Sequence, residues 1–117
     1  MRLAVIGSRD FKDFDLLVKS IEEFCAEDPP TLIVSGGAKG ADSLAERYAG
    51  ERGIETQIFL PDWQKFGRSA GFRRNQDIVD SSDVCIAFWD GSSKGTLSSI
   101  EMAKKREIPL KIVRFDQ

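Results

Sequence analysis

Two glycine-rich segments, each with one lysine, have the composition of loops that bind phosphate. They cover residues 35–42 (SGGAKGAD) and 89–96 (WDGSSKGT). Glycine lets the backbone approach an anion closely, and a helix that begins just after such a loop offers free N–H groups and a positive dipole end. Either segment alone could simply make a turn. Two of them in one small chain predict phosphate or carboxylate binding.

A basic and aromatic segment, residues 61–75, lies between the two loops. Its cations are Lys65, Arg68, Arg73 and Arg74, and its aromatic residues are Trp63, Phe66 and Phe72. Arginine forks match phosphate geometry, and an aromatic face can hold a base by stacking. The alternative is a solvated basic loop whose aromatic residues pack into the core.

Several common chemistries are excluded by residue type and spacing. The chain has no histidine, so imidazole metal sites and histidine-based triads are absent. Neither loop has the spacing of a P-loop or of the dinucleotide fingerprint. Ser8 and Ser35 could donate to phosphate, but neither has an obvious activating base. Cys25 and Cys85 are interpreted as small core residues, with a disulfide as the less favoured alternative.

These residues must be positioned by alternating strands and helices. Short apolar runs predict strands at residues 3–6, 32–34, 54–60, 84–88 and 110–113. Three- and four-residue spacing of apolar side chains predicts helices at residues 14–24, 41–49, 72–80 and 95–106, with residues 61–71 irregular. The pattern indicates an α/β fold: a single Rossmann-like three-layer domain over residues 1–117, with a mostly parallel five-stranded sheet. Ligands bind at the carboxyl ends of the strands in such sheets.

Net charge and hydropathy limit the classes of partner and the location that we expect. The net charge is −2, from 17 basic and 19 acidic residues, whereas proteins that wrap duplex DNA usually carry a basic surplus. The charge balance therefore argues against duplex DNA as a partner. No apolar run approaches the ~20 residues that span a bilayer, and the N-terminal apolar stretch is too short for a signal peptide. The cytoplasm is the expected location.

The motifs taken together resemble the SLOG superfamily, the Rossmann-like group that contains the Lonely-Guy phosphoribohydrolases and the DNA-processing protein of natural transformation. The chain is most similar to the small YspA-related branch. The carrying motifs are Ile6-Gly7-Ser8-Arg9 with Phe11, residues 35–49, Trp63, Gly67, Ala70-Gly71, Arg74-Asn75 and residues 87–96. The resemblance implies a nucleotide-shaped pocket between the two glycine loops and a dimer or larger homo-oligomer.

The resemblance also implies a catalytic arginine at Arg74, but the catalytic glutamate is missing. The phosphoribohydrolases carry that glutamate three residues after the threonine of their glycine loop, where this chain has Ser99. The next glutamate, Glu101, is rotated about 200° around the helix from Ser99 and should face away from the pocket. Asp42 is the replacement candidate, although an aspartate in a first helical turn also stabilises the helix by itself. Asp90 is a second candidate, with a turn as its simpler explanation.

We therefore expect a domain that binds a nucleotide or a nucleotide derivative such as ADP-ribose. The alternatives are a nucleotide N-glycosidic hydrolase that uses Asp42 and Arg74, a module for single-stranded nucleic acid, and an interaction module whose glycine loops only make turns. No metal site is evident, although Asp10, Asp42 and Asp90 could recruit Mg²⁺ together with a phosphate ligand. The expected ligand-binding residues are Gly7, Ser8, Arg9, Ser35, Gly36, Gly37, Lys39, Gly40, Trp63, Asn75, Asp90, Gly91, Ser92, Gly95 and Thr96.

Overall fold

Strands and helices alternate along the chain in a computed structural model that describes residues 1–115. The strands are β1 (Arg2–Gly7), β2 (Leu32–Ser35), β3 (Glu55–Ile58), β4 (Val84–Trp89) and β5 (Leu110–Arg114). The helices are α1 (Phe14–Phe24), α2 (Ala41–Arg52), α3 (Trp63–Phe66), α4 (Ala70–Asp80) and α5 (Lys94–Lys105), with a 3₁₀ turn at Gly67–Ser69. Within residues 1–115, all four strand pairs are parallel. The predicted Rossmann-like α/β fold is confirmed.

The strand order places a topological switch point at the centre of the sheet. The order is β3-β2-β1-β4-β5, so the chain builds outward from β1 to β3 and then crosses back to begin β4 on the other side of β1. The connections after the neighbouring strands β1 and β4 therefore lead to opposite faces of the sheet. A crevice forms at such a point in open parallel sheets.

Two apolar cores, one on each face of the sheet, make the structure three-layered. Leu3 and Val5 of β1 point toward α1 and α2, whose Leu17 and Ala45 belong to the same buried cluster. Residues between them in the strand point the opposite way, since side chains alternate along a strand. Ala4 accordingly packs in the second cluster, with residues of α4 and α5. Cys25 and Cys85 are both buried and free, as predicted.

The segment expected to be irregular, residues 61–71, is largely helical. Asp62 starts α3 because its carboxylate accepts the backbone N–H of Lys65 at 3.0 Å. Gly67, with a φ of +56°, ends that single turn. The 3₁₀ turn then continues into α4 at Ala70, two residues before the predicted start at Phe72. Ser69 is the N-cap of α4 but makes no side-chain capping bond, because the 3₁₀ turn runs directly into the helix.

Candidate functional site at the switch point of the sheet

A cleft of about 370 Å³ opens at the carboxyl edge of the sheet, between the loops that follow β1 and β4. This volume lies within the range of small-molecule sites. Its walls come from β1 and its loop, the start of α2, α4, and the beginning of α5. The lining residues are Ile6, Gly7, Ser8, Arg9, Asp10, Ala38, Asp42, Arg74, Asn75, Ile78, Asp90, Ser93, Gly95, Thr96 and Ser99.

Ser8 holds the two central loops together at the base of the cleft. Its N–H donates to the carbonyl of Phe88 at 2.9 Å, and its Oγ accepts the N–H of Asp90 at 3.4 Å. Gly7 leaves no room for a side chain, because an added Cβ would lie 2.6 Å from the Cβ of Ala41. The β1 loop is therefore closely packed between α2 and β4.

The glycines of the loop before α2 are packed against protein atoms. An added Cβ on Gly40 would lie 2.6 Å from the carbonyl carbon of Arg9, and one on Gly36 would lie 2.9 Å from the Cζ of Arg74. At Gly40 the neighbours are backbone atoms, so glycine is needed there, whereas at Gly36 the absence of a side chain makes room for the Arg74 guanidinium. This loop shapes the cleft by positioning Arg9 and Arg74.

Asp42 lies at the first turn of α2, with its side chain turned back onto the preceding loop. Its Oδ2 accepts the N–H of Ala38 at 3.1 Å, and the residue is only 8% exposed. Burial raises the pKa of the Asp42 carboxyl above its ordinary value, and the Ala38 hydrogen bond and the charge of Arg74 oppose that shift. Asp42 therefore braces the loop and places one negative charge near Arg74.

Arg74 reaches from α4 across the cleft to the loop before α2. Its Nη1 donates to the carbonyl of Gly36 at 2.7 Å, and its Nε donates to the Oδ1 of Asn75 at 2.9 Å. The pKa of Arg74 is lowered by burial; the negative charge of Asp42 opposes that shift, and the positive charge of Arg9 adds to it. Arg9 and Arg74 both line the same cleft.

The loop after β4 is organised by Asp90 and leads into α5. The Asp90 carboxylate accepts the N–H groups of Ser92 and Ser93 at 2.9 and 2.8 Å. These bonds lower the pKa of Asp90, so the carboxyl is ionised near neutral pH and occupies those two amides. The next amides, in the first turn of α5, have no carbonyl partner within a helix. Gly95 and Thr96 lie in that turn and line the cleft.

The structure brings together part of the predicted set of residues. Those on the cleft wall are Gly7, Ser8, Arg9, Asp42, Arg74, Asn75, Asp90, Gly95 and Thr96. The others are not on that wall: Ser35, Gly36, Gly37, Lys39, Gly40, Trp63, Gly91 and Ser92. Ser35 is fully buried, and its Oγ has no hydrogen-bond partner in the part of the chain that the structure describes. Gly37 and Gly91 are covered by the side chains of Leu60 and Arg114.

Six further lining residues were not in the predicted ligand-binding set: Ile6, Asp10, Ala38, Ile78, Ser93 and Ser99. Ser93 and Ser99 flank Thr96 at three-residue spacing, which places all three on one face of a helix, so helical periodicity could have identified them. Ile78 could not have been found in this way, because its apolar side chain gives the same signal as any core residue. Glu101 is exposed and lines a separate groove between α4 and α5, in agreement with the rotation expected from helical geometry.

The acidic residues of the cleft do not form a ready metal site. Asp10, Asp42 and Asp90 all line it, but no group of three candidate ligands that could hold a metal ion occurs within residues 1–115. A Mg²⁺ ion would therefore need oxygen ligands from a bound phosphate. No helix in the same range is long and apolar enough to cross a membrane.

The comparison with known families agrees with the motifs and the fold. The model of the YspA, cpYpsA-related SLOG family matches residues 1–66. The chain belongs to this SLOG family. This SLOG protein is also similar to the Gene 61 protein of Mycobacterium phage D29, with 35% identity over 116 residues that cover 93% of each chain.

Two solved structures share the fold of this SLOG protein. One is DNA processing protein A from Helicobacter pylori, described for its single-stranded DNA binding mode, with a TM-score of 0.74 and 23% identity over 96% of this chain and 64% of that one. The other is DNA processing protein A from Streptococcus pneumoniae, with a TM-score of 0.70 and 20% identity over 95% of this chain and 49% of that one. This SLOG protein thus spans less than two thirds of the length of either structure.

Proposed function

We propose that this protein binds the phosphate group of a nucleotide unit in the cleft at the switch point. The observation that carries the proposal is that Arg9 and Arg74 line one cleft together with the first turn of α5. A bound anion offsets the positive charge of both guanidinium groups and gains charge-assisted hydrogen bonds. The first turn of α5 adds N–H groups and the positive end of a helix dipole on the same wall.

The cleft suits one phosphate better than several. Two cations and one helix N-terminus share the cleft with the carboxylates of Asp10, Asp42 and Asp90. These carboxylates would repel a triphosphate. The volume of about 370 Å³ is close to the lower end of ligand pockets, which fits a single nucleotide unit. That unit has two sources: a free mononucleotide, or one link of a single nucleic-acid strand.

Of these two sources, a single strand has the better support from the comparisons. The fold is shared with DNA processing protein A, whose Helicobacter pylori form binds single-stranded DNA. Trp63 of α3 is 57% exposed and lies over Gly71. Gly71 precedes Arg74 by about one turn in α4. Leu60 is exposed beside Gly37. A base adjoining the bound phosphate would find an aromatic face at Trp63.

Substitution of the two arginines tests phosphate binding. We expect Arg9→Gln and Arg74→Gln each to weaken binding of 5′-AMP and of a fluorescein-labelled oligo(dT) strand about tenfold, as for the loss of a hydrogen bond to a charged group. Fluorescence anisotropy and calorimetry measure the two affinities. Arg47→Gln is the matched control, because Arg47 stacks on Phe14 of α1, away from the cleft. The proposal fails if the wild type binds neither ligand, or if the cleft variants match Arg47→Gln.

Trp63→Ala distinguishes the two sources of the nucleotide. If the ligand is a strand, this variant loses about tenfold in affinity for oligo(dT), the usual effect of removing one stacking ring, and retains its affinity for 5′-AMP. Phe72→Ala is the control: Phe72 is 59% exposed, but it lines the groove between α4 and α5. If oligo(dT) binds no more tightly than 5′-AMP, and Trp63→Ala has no effect, the ligand is the free nucleotide.

Hydrolysis of an N-glycosidic bond is a second candidate function, and it depends on Asp42. A carboxylate of this kind must activate water or stabilise positive charge on the sugar. Asp42 lines the cleft, but its Oδ2 accepts the Ala38 N–H, which favours the loop-bracing role. Chromatography of wild-type protein incubated with 5′-AMP decides this point. Free adenine that disappears in Asp42→Asn supports hydrolysis, whereas no adenine from either protein contradicts it.

A further inference from the structure

Arg114, at the end of β5, packs against the loop after β4 from outside the cleft. Gly91, in the middle of that loop, has a φ of +88°. The guanidinium of Arg114 occupies the space where a side chain on Gly91 would stand, with its Cζ 2.7 Å from an ideal Cβ position. Gly91 therefore lets the Arg114 side chain lie directly on the loop backbone.

Trp89 connects the same arginine to the beginning of α5. Trp89 and Arg114 are register partners in the parallel pair of β4 and β5, and the Arg114 Cζ lies 5.4 Å from the centre of the indole ring. The indole Nε1 donates to the carbonyl of Ser93 at 3.1 Å. Ser93 is the N-cap residue of α5. One set of contacts thus runs from the edge strand, through the indole, to the N-terminus of the helix.

We propose that Arg114 is a positioning residue for the phosphate site: together with Trp89 it fixes residues 90–93 and so orients the first-turn N–H groups of α5. This inference rests on the proposed function. Arg114 is not on the cleft wall, so it acts through the loop and makes no contact with the phosphate. A planar guanidinium can lie on both an indole and a glycine backbone, whereas a lysine ammonium cannot stack in this way.

Amide hydrogen exchange at Ser92 and Ser93 tests the inference without any ligand. Both amides donate to Asp90, and local opening of the loop exposes them. We expect Arg114→Gln to speed their exchange about tenfold, and Arg114→Lys to leave it fast because the charge alone does not restore stacking. Arg47→Gln, which removes an arginine stacked on Phe14 at 3.8 Å, is the control for general destabilisation. Exchange that stays at the wild-type rate in Arg114→Gln overturns the proposal.

The salt dependence of oligo(dT) binding separates positioning from direct contact. Arg114→Gln should weaken binding several-fold, because misplaced donors bind a phosphate less well, and should leave the slope of log Kd against log salt unchanged. Arg9→Gln should reduce that slope, as the loss of a phosphate contact does. A reduced slope in Arg114→Gln would show direct contact and contradict the positioning role. If the wild type does not bind 5′-AMP or oligo(dT) but Arg114→Gln speeds exchange, the proposed function fails while the loop support stands.

Discussion

Gly40 determines how closely the loops after β1 and β2 approach one another. Its φ and ψ of +76° and −126° lie in a region that is essentially restricted to glycine. Any side chain there would also collide with the Ser8 carbonyl. The glycines of residues 36–40 resemble a phosphate loop in sequence, but at Gly40 the backbone meets protein atoms.

Alanine substitution of two glycines near or in α2 should have opposite effects on stability. Gly40→Ala should lower the free energy of unfolding by about 2 kcal/mol or more, from backbone strain and the collision with the β1 loop. Gly50→Ala should raise it by about 0.5–1 kcal/mol, because Gly50 is in the helix interior with nothing within 4 Å of an added Cβ. Urea denaturation measures both. Equal effects would show that the close approach at Gly40 is not needed.

Asp42 should make the folded state less stable as the pH rises, as expected for a buried acid. Burial raises its folded-state pKa above the unfolded value, so its stabilising contribution is full below the unfolded pKa and is lost as the pH rises through the folded pKa. Ionisation of the buried Asp42 carboxyl therefore lowers the free energy of unfolding. Asp42→Asn removes this effect and keeps an oxygen that can accept the Ala38 N–H.

We expect Asp42→Asn to be at least as stable as the wild type at pH 7 and to bind 5′-AMP more tightly, because one negative charge leaves the cleft. Urea denaturation from pH 4 to pH 8 and calorimetry check the two effects. A variant that is less stable at pH 7, or that binds 5′-AMP more weakly, would show that the charge of Asp42 is needed in the folded state.

At the scale of elements, Arg2 and Asp83 fasten the beginning of β1 to the residue before β4. The Asp83 carboxylate accepts the backbone N–H and the guanidinium of Arg2, at 2.7 and 3.0 Å. These hydrogen bonds lower the pKa of Asp83 to about 2. The central pair of strands, whose far ends hold the cleft, is thus fixed at its opposite end by an exposed ion pair.

The ion pair should stabilise the fold only above acidic pH. The folded pKa of Asp83 is below its unfolded value, so the contribution is present above about pH 4 and is lost as the pH falls toward about 2. Asp83→Asn should therefore lower the urea midpoint at pH 7 slightly, as expected for an exposed pair. It should also flatten the pH dependence of the midpoint between pH 4 and pH 2. An unchanged dependence in that window would contradict this assignment.

The existence of each long helix was predictable from the sequence, but not every boundary was. Phe14, Leu17 and Ile21 repeat at helical spacing, and α1 has the predicted bounds. The helix α4 starts at Ala70, where its N-cap Ser69 makes no side-chain capping bond, and its start was predicted at Phe72. Strand order depends on pairing between distant segments, so local pattern does not specify it. The switch point between β1 and β4 could be identified only from the structure.

The candidate site was predictable in outline, since the loops at the strand ends do meet, but the roles of single glycines were not. A glycine that lets the backbone approach a ligand and one that lets it approach another protein group give the same sequence signal. Gly95 lines the cleft, whereas Gly36 packs against Arg74. Only the three-dimensional contacts separate these two uses.

At the scale of the whole molecule, the chain has a net charge of −2, and its cleft combines two arginines with three carboxylates. Arg9 and Arg74 line the cleft beside α5, and the exposed Trp63 of α3 packs near Gly71 of α4. Such a distribution favours a short anionic segment over an extended duplex, because wrapping a duplex requires many phosphate contacts. We therefore expect the switch-point cleft to receive one nucleotide phosphate.

The most direct test is a titration of ¹⁵N-labelled protein with 5′-AMP, and in parallel with oligo(dT), followed by amide chemical shifts. We expect the largest shifts to fall on Arg9, Gly95 and Thr96, with the indole N–H of Trp63 moving only with oligo(dT). Shifts confined to another surface, such as the groove between α4 and α5, or no shifts with either ligand, would contradict this expectation.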